Sequence, residues 1–246
     1  MDGYTKAHLD WTPRLILAVD GAPGSGKTRL ALTAPGPISY HNLDVGLDGV
    51  LQQFQDTKDF YFPGDGTPYI LPDFLPGVDD SAHGAQARPL WQRFCQDFVA
   101  ACQQMRSVVV DTASEAYELS RLAHFGKLEQ VRARQYGPVN QEWRTLMRTA
   151  THNSIANVIL LHHVKDEYLN DARTGNKIRA GWGGIEGAVF ISVRLAGPPH
   201  QSGFTCTITK CRQNASLVGV ELAGEDISLA MLGQLVFPST EPGDWE

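Results

Sequence analysis

The chain has little cysteine: Cys95, Cys102, Cys206 and Cys211 are the four in 246 residues. None forms a C-x-x-C pair or sits beside a histidine pattern, so neither a disulfide framework nor a zinc site is expected. Cys95 and Cys102 are seven apart, share a helix face and read as buried, reduced thiols. No apolar run approaches the ~18 residues that cross a bilayer. The opening "MDGYTKAHLDW" lacks a signal-peptide core, so the expectation is a cytoplasmic protein with no membrane partner. Positive charge is also short, with 21 Lys and Arg against 27 Asp and Glu, a net charge of −6. The deficit is uneven. Residues 121–180 carry ten basic and five acidic side chains, a local +5 that leaves −11 for the remainder. Such a stretch suits a nucleic-acid groove or a solvated helical face. An apolar fraction of 42% and a charged fraction of 20% are ordinary for a globular chain, and there is no internal repeat.

What the chain does have is one specific motif. Residues 15–35 read "LILAVDGAPGSGKTRLALTAP", and Gly21 to Thr28 fit G-x-x-x-x-G-K-[ST] at every fixed position. Leu15–Val19 is the short apolar run of a doubly covered parallel strand. "KTRLALTA" has good helix formers and is stopped by Pro35 and Gly36. Gly21, Gly24 and Gly26 allow the backbone to approach an anion, with Ala22, Pro23 and Ser25 adding amides or spacing the turn. The helix N-terminus adds its positive end, with Arg29 in its first turn. Lys27 aims a point charge at outer phosphates, and the Thr28 hydroxyl is a ligand for Mg²⁺. ATP and Mg²⁺ are therefore the expected cofactors.

Organisation follows from periodicity. Residues 1–13 read as an N-terminal extension, 14–236 as one P-loop ATPase domain and 237–246 as an acidic, solvated tail. Residues 60–88 are dense in Pro, Gly and Asp and read as a long loop or flap with a small hairpin. A helix follows from Pro89. "SVVVD" is an apolar strand ending in Asp111, the position of a carboxylate that orders Mg²⁺. Residues 114–135 read as helical, "QYGPVNQEWRTLMRTATHN" as a turn and helix, and "NVILLHHVKDEY" as a strand ending at His162 and His163. Residues 170–187 read as a Gly-rich, basic connection. "VFISVRLAG", "GFTCTITKCRQ" and "SLVGVELAG" read as late strands that extend one edge in antiparallel fashion. Strands at 14–20, 37–44, 107–111 and 156–162, alternating with helices, give a three-layer α/β fold with a mostly parallel sheet. Its ligand site falls at the carboxyl ends of the strands, where Gly21, Asp44, Asp111 and His163 lie.

With "GAPGSGKT", "ISYHNLDVGLDG", "VVVDTASEAYE", "QYGPVNQEWRTLM", "VILLHHVKDE" and "ITKCR" in this order over residues 14–214, the chain resembles the phage-encoded RecA-like P-loop ATPases, which include single-strand-annealing proteins. The resemblance implies a RecA-like core, ATP hydrolysis, assembly into a homo-oligomeric ring or filament, and action on single-stranded DNA in phage recombination, with a single-strand-binding protein as a possible partner. The family's layout places the catalytic base at the end of the strand next to the P-loop strand, which favours Asp44; Asp48 and Glu115 are the other candidates. Glu115 also reads as a carboxylate on a helix dipole. His163 reads as a γ-phosphate sensor or a packing residue.

Two segments mix basic and aromatic residues as single-strand grips do. They are 132–144, with Arg132, Arg134, Tyr136 and Trp143, and 171–184, with Arg173, Lys177, Arg179 and Trp182. Alternation in "TITKCRQ" puts Lys210 and Arg212 on one face, where they read either as an exposed strand edge or as cations for the γ-phosphate of a neighbouring subunit. The alternatives in function are a small-molecule kinase, with 60–88 as its lid, and a ring or helicase-like motor without recombination activity.

Overall fold

The apolar run before the P-loop becomes the buried centre of a sheet: β1 (Ile16–Gly21) has all six residues buried. In the computed structural model, residues 12–245 are described apart from 45, 46, 48, 55, 72–76, 78, 129, 130, 153, 154, 198–203, 225 and 226. After β1 come α1 (Lys27–Leu32), β2 (Ile38–Asn42), β3 (Phe60–Tyr61), α2 (Asp80–Gln104), β4 (Ser107–Asp111), α3 (Ala113–Phe125), α4 (Gly137–His152) and β5 (Asn157–His162). A hairpin of β6 (Val164–Leu169) and β7 (Ala172–Arg179) then precedes α5 (Ile185–Ala188), β8 (Ile191–Ala196), β9 (Thr205–Cys211), β10 (Glu221–Ala223) and α6 (Leu229–Val236).

The main sheet has the order β10-β9-β8-β1-β5-β4-β2-β3. From β3 to β8 every neighbouring pair is parallel, and β9 and β10 close the edge in antiparallel fashion. Side chains alternate across a strand, so the sheet feeds two cores. Ile16, Ala18, Val108, Val110, Val158 and Leu160 pack under α2, α3 and α4. Leu15, Leu17, Val19, Val109, Ile159 and Leu161 pack against α1, α6 and Trp245. The result is the expected three-layer α/β fold. In the first core Trp91, Trp143 and Trp182 stack in series. Each buried indole donates its N–H, to Glu142, Ser120 and Asn140 respectively.

Several elements differ from the sequence expectation. The segment 60–88 is a loop only in part: β3 adds a parallel edge strand, and α2 begins at Asp80, capped by the Asp79 carboxylate accepting from the Ser81 amide. Pro89 sits inside this helix rather than at its start. α3 stops at Phe125 because Gly126 takes a left-handed cap at φ 71, ten residues short of the expected helix end. The connection 170–187 is largely the β6–β7 hairpin, a separate two-stranded sheet. β8 runs parallel to β1, because the hairpin and α5 carry the chain back before it starts. The tail is not free in solvent: Trp245 is 1% exposed, stacks on Phe237 and donates to Thr240. α6, read from no motif, covers the second core.

Candidate functional site

The P-loop connects β1 to α1. Gly24 and Gly26 adopt φ 76 and 87, the left-handed region open to glycine. At Gly21 a Cβ would lie 2.4 Å from Ser25 Oγ and 2.6 Å from the Leu195 carbonyl oxygen, so no side chain fits there. Gly26 caps α1 without any side-chain hydrogen bond, which leaves the first amides of the helix unspent. Ser25 Oγ is buried with no protein partner among the described residues. Lys27 is 8% exposed, and its ammonium donates back to the Gly21 and Ala22 carbonyls at 2.9 and 3.0 Å. Burial pulls its pKa down, while Asp111, Asp44 and Asp20 oppose the shift.

Asp111, at the end of β4, lies across the cavity from this loop. Its Oδ2 accepts from Thr28 Oγ1 at 2.9 Å and from the Tyr40 hydroxyl. Burial raises its carboxyl pKa above the usual range, with Tyr40, Thr28 and Lys27 pulling back. Burial and the neighbouring carboxylate push the Tyr40 phenol upward in turn, so it stays a donor. Tyr40 was not legible as a site residue. It reaches Asp111 because β2 lies beside β4 in register, and no local motif announces that pairing.

Gly24, Gly26, Lys27, Thr28 and Asp111 line a cavity of about 490 Å³ together with Pro23, Arg29, Asp44, Thr112 and His163. Unspent helix amides, a buried ammonium and a Thr–Asp pair are the donor and ligand set that a phosphate with a divalent cation requires, so the residues present fit that group.

Asp44, Glu115 and His163 converge beside it. His163 Nε2 is 3.4 Å from Asp44 Oδ2 and 3.8 Å from Glu115 Oε1. The Glu115 amide donates to Thr112 Oγ1 at 3.2 Å, the cap of α3, and burial raises the Glu115 carboxyl pKa while His163 lowers it. Asp44 is not on a strand next to β1, which pairs with β5 and β8; β2 lies beyond β5 and β4. Asp44 reaches the cavity because it lies two residues past the end of β2. Asp48 falls outside the described residues.

His163 also begins the hairpin. Its amide donates to Ser114 Oγ, Ser114 Oγ donates to the Ala180 carbonyl, and the Ala180 amide donates back to the His163 carbonyl. Both feet of the hairpin are thus tied to the start of α3, one residue from Glu115.

The expected DNA grips are corrected in part. Arg179 is half-buried and already engaged: with Arg194 it binds Asp20, which is 2% exposed at the end of β1, and it also pairs with Glu186. Arg173 and Lys177 both pair with Asp166 across the hairpin, at 2.8 and 2.5 Å. Trp143 and Trp182 are core residues and offer no stacking face. Arg132 and Arg134 remain exposed ahead of α4. The Asp20 cluster had a sequence signal that went unread: a carboxylate closing an apolar run needs a buried partner.

Lys210 and Arg212 lie at the opposite end of the sheet from this chain's own P-loop, because antiparallel β9 pairs Cys211 with Ile191 at the start of β8. Lys210 donates to the Val189 carbonyl and Arg212 to the Gly187 carbonyl.

A family model described as an AAA domain, AAA_24, matches residues 14–183. No curated protein matches the chain. Among solved structures, one titled "Crystal structure of the RadB recombinase" superposes with a TM-score of 0.49 at 14% identity, covering 86% of this chain and 87% of that one.

Proposed function

We propose, from the premise that the chain belongs to the AAA_24 family of AAA domains and is a nucleotide-binding P-loop ATPase, that it hydrolyses ATP with Mg²⁺ and acts on single-stranded DNA. The observation that carries the ATPase reading is the Thr28–Asp111 pair at 2.9 Å facing the buried Lys27 ammonium across one cavity. Mg²⁺, when bound, neutralises charge developing on the β- and γ-phosphate oxygens. Thr28 and Asp111 would hold it, and Lys27, released from its own loop carbonyls, would face the outer phosphates. Asp44 is the base we favour: it lines the P-loop cavity, whereas Glu115, in the first turn of α3, lines only the adjacent one. His163, within 4 Å of both carboxylates, would orient Asp44 and relay its position to the hairpin it begins.

Action on DNA is supported by the basic excess between residues 121 and 180 and by exposed Arg132 and Arg134. A role in phage recombination or annealing, in a homo-oligomer, rests on the sequence resemblance. The test is the ATPase rate with and without a single-stranded oligonucleotide. We expect Mg²⁺-dependent hydrolysis that the oligonucleotide increases; hydrolysis indifferent to DNA and Mg²⁺ would refute the reading.

A second reading, phosphoryl transfer to a small acceptor, is favoured by one feature. A cavity of about 510 Å³, walled by Leu43, Leu47, Phe62 and Ile70 with Glu115, shares Asp44 with the P-loop cavity. ADP release in the absence of any acceptor but water separates the ATPase from this kinase.

A further inference from the structure

Five of the ten basic residues between 121 and 180 are held in ion pairs. Arg121 pairs with Glu118, Lys127 with Asp80, Arg173 and Lys177 with Asp166, and Arg179 with Asp20 and Glu186. Arg144 and Arg148, both exposed on α4, have no carboxylate within ion-pair distance among the described residues. They face a groove of about 320 Å³ between α4 and α5, into which His152 and Arg212 also reach and which no Asp or Glu lines.

The arrangement is linear. Arg144, Arg148 and His152 recur every fourth residue, so they share a helix face and step about 6 Å along its axis at each interval. Arg212 is held at the groove by its bond to the Gly187 carbonyl. Gly187 has open space where a side chain would stand, so a ligand can approach the backbone of the far wall there. In a chain of net charge −6 this is a row of positive charge with no carboxylate paired to Arg144 or Arg148 among the described residues.

We propose that the groove between α4 and α5 binds the phosphate backbone of single-stranded nucleic acid, with Arg144 and Arg148 as its principal contacts. A single file of cations matches a single file of phosphates, and guanidinium is suited to phosphate oxygens. The proposal rests on the DNA part of the reading above and relocates the contacts: the hairpin cations Arg173 and Lys177, occupied by Asp166, are not the grip.

The test uses the full chain with Arg144→Ala and Arg148→Ala, singly and together, and a fluorescein-labelled oligo-dT whose anisotropy is followed across a salt series. The double variant should bind roughly tenfold more weakly at low salt, with a log-log salt slope shallower by about 1.4, near 0.7 for each lost contact. A paired control, Arg173→Ala with Lys177→Ala, should change affinity less than the Arg144 and Arg148 pair does, since Asp166 offsets one of its two charges. Binding of a fluorescent ATP analogue and unstimulated hydrolysis should be unchanged in the double variant. A wild-type slope in the double variant, or no oligonucleotide binding by the wild type, overturns the proposal. So does a double variant that keeps oligonucleotide binding but loses hydrolysis in a manner dependent on protein concentration, which would assign the groove to the nucleotide of a neighbouring copy. Failure of the ATPase reading shows separately, as absent binding of the ATP analogue by the wild type.

Discussion

At the scale of single residues, the site holds charged groups where burial opposes their charge. Asp111 is the clearest: its carboxyl pKa is raised by burial, so the ionised form costs stability above that pKa and the cost is relieved as pH falls through it. Asp111→Asn should therefore melt at the same or higher temperature than the wild type in Mg²⁺-free buffer at neutral pH, while hydrolysis drops by at least about 10²-fold. A clear fall in melting temperature with activity retained would make Asp111 a structural residue. The buried histidines carry the opposite sign. His41 and His162 are both pushed down to about 3 by burial, with Arg179 adding to the effect at His162. They stay neutral in the fold and take a proton on unfolding. Their contribution is complete above the ordinary histidine pKa of about 6.5 and is lost as pH falls towards 3, at about 1.4 kcal/mol per pH unit for each. Urea unfolding between neutral and mildly acidic pH should show this slope, and His41→Gln should remove one histidine's share. An unchanged slope in that variant would contradict it.

At the scale of elements, the hairpin's attachment decides how its arginines are understood. Arg179, the last residue of β7, sets its guanidinium on buried Asp20, and Arg194 of β8 holds the other side. Arg179→Ala leaves Asp20 with one partner, at a cost of about 3 kcal/mol. In a domain of this size that lowers the melting temperature by roughly 6–12 °C, whereas loss of a surface DNA contact would leave it in place. Differential scanning calorimetry separates the two, and a shift under about 2 °C would contradict the buried role. Here the sequence was partly legible. "GAPGSGKT" announces strand, loop and helix because its glycines and Lys-Thr answer to one local chemistry, and "SVVVD" is readable because a fully buried strand needs a continuous apolar run. The hairpin was not: "KDEYLNDARTGNKI" is polar on both faces of both strands, so no apolar alternation marks it. α2 was placed late because Pro89 looks like a start signal, although the true cap is Asp79.

At the scale of the whole molecule, the parallel register brings the ends of β1, β2, β4 and β5 to one side. That is why Lys27, Asp44, Asp111 and His163, spread over more than half the chain, face one cavity. Their convergence was legible from the βα alternation, which needs only strand count and direction. The strand order was not, because nothing local places β5 and β4 between β1 and β2; the base was therefore expected beside the P-loop strand, although Asp44 lies past the end of a strand three places away. The tail's packing is not legible for a related reason: "STEPGDWE" is acidic overall, yet Trp245 packs on Gly233, where a Cβ would meet its ring at 2.4 Å. The central claim, that this cavity binds and cleaves a magnesium nucleotide through Lys27, is tested most directly by ATP hydrolysis of Lys27→Ala beside the wild type, with calorimetric melting to show that both are folded. The expected result is a folded variant with hydrolysis reduced to background. A folded Lys27→Ala protein with an unchanged rate would contradict it.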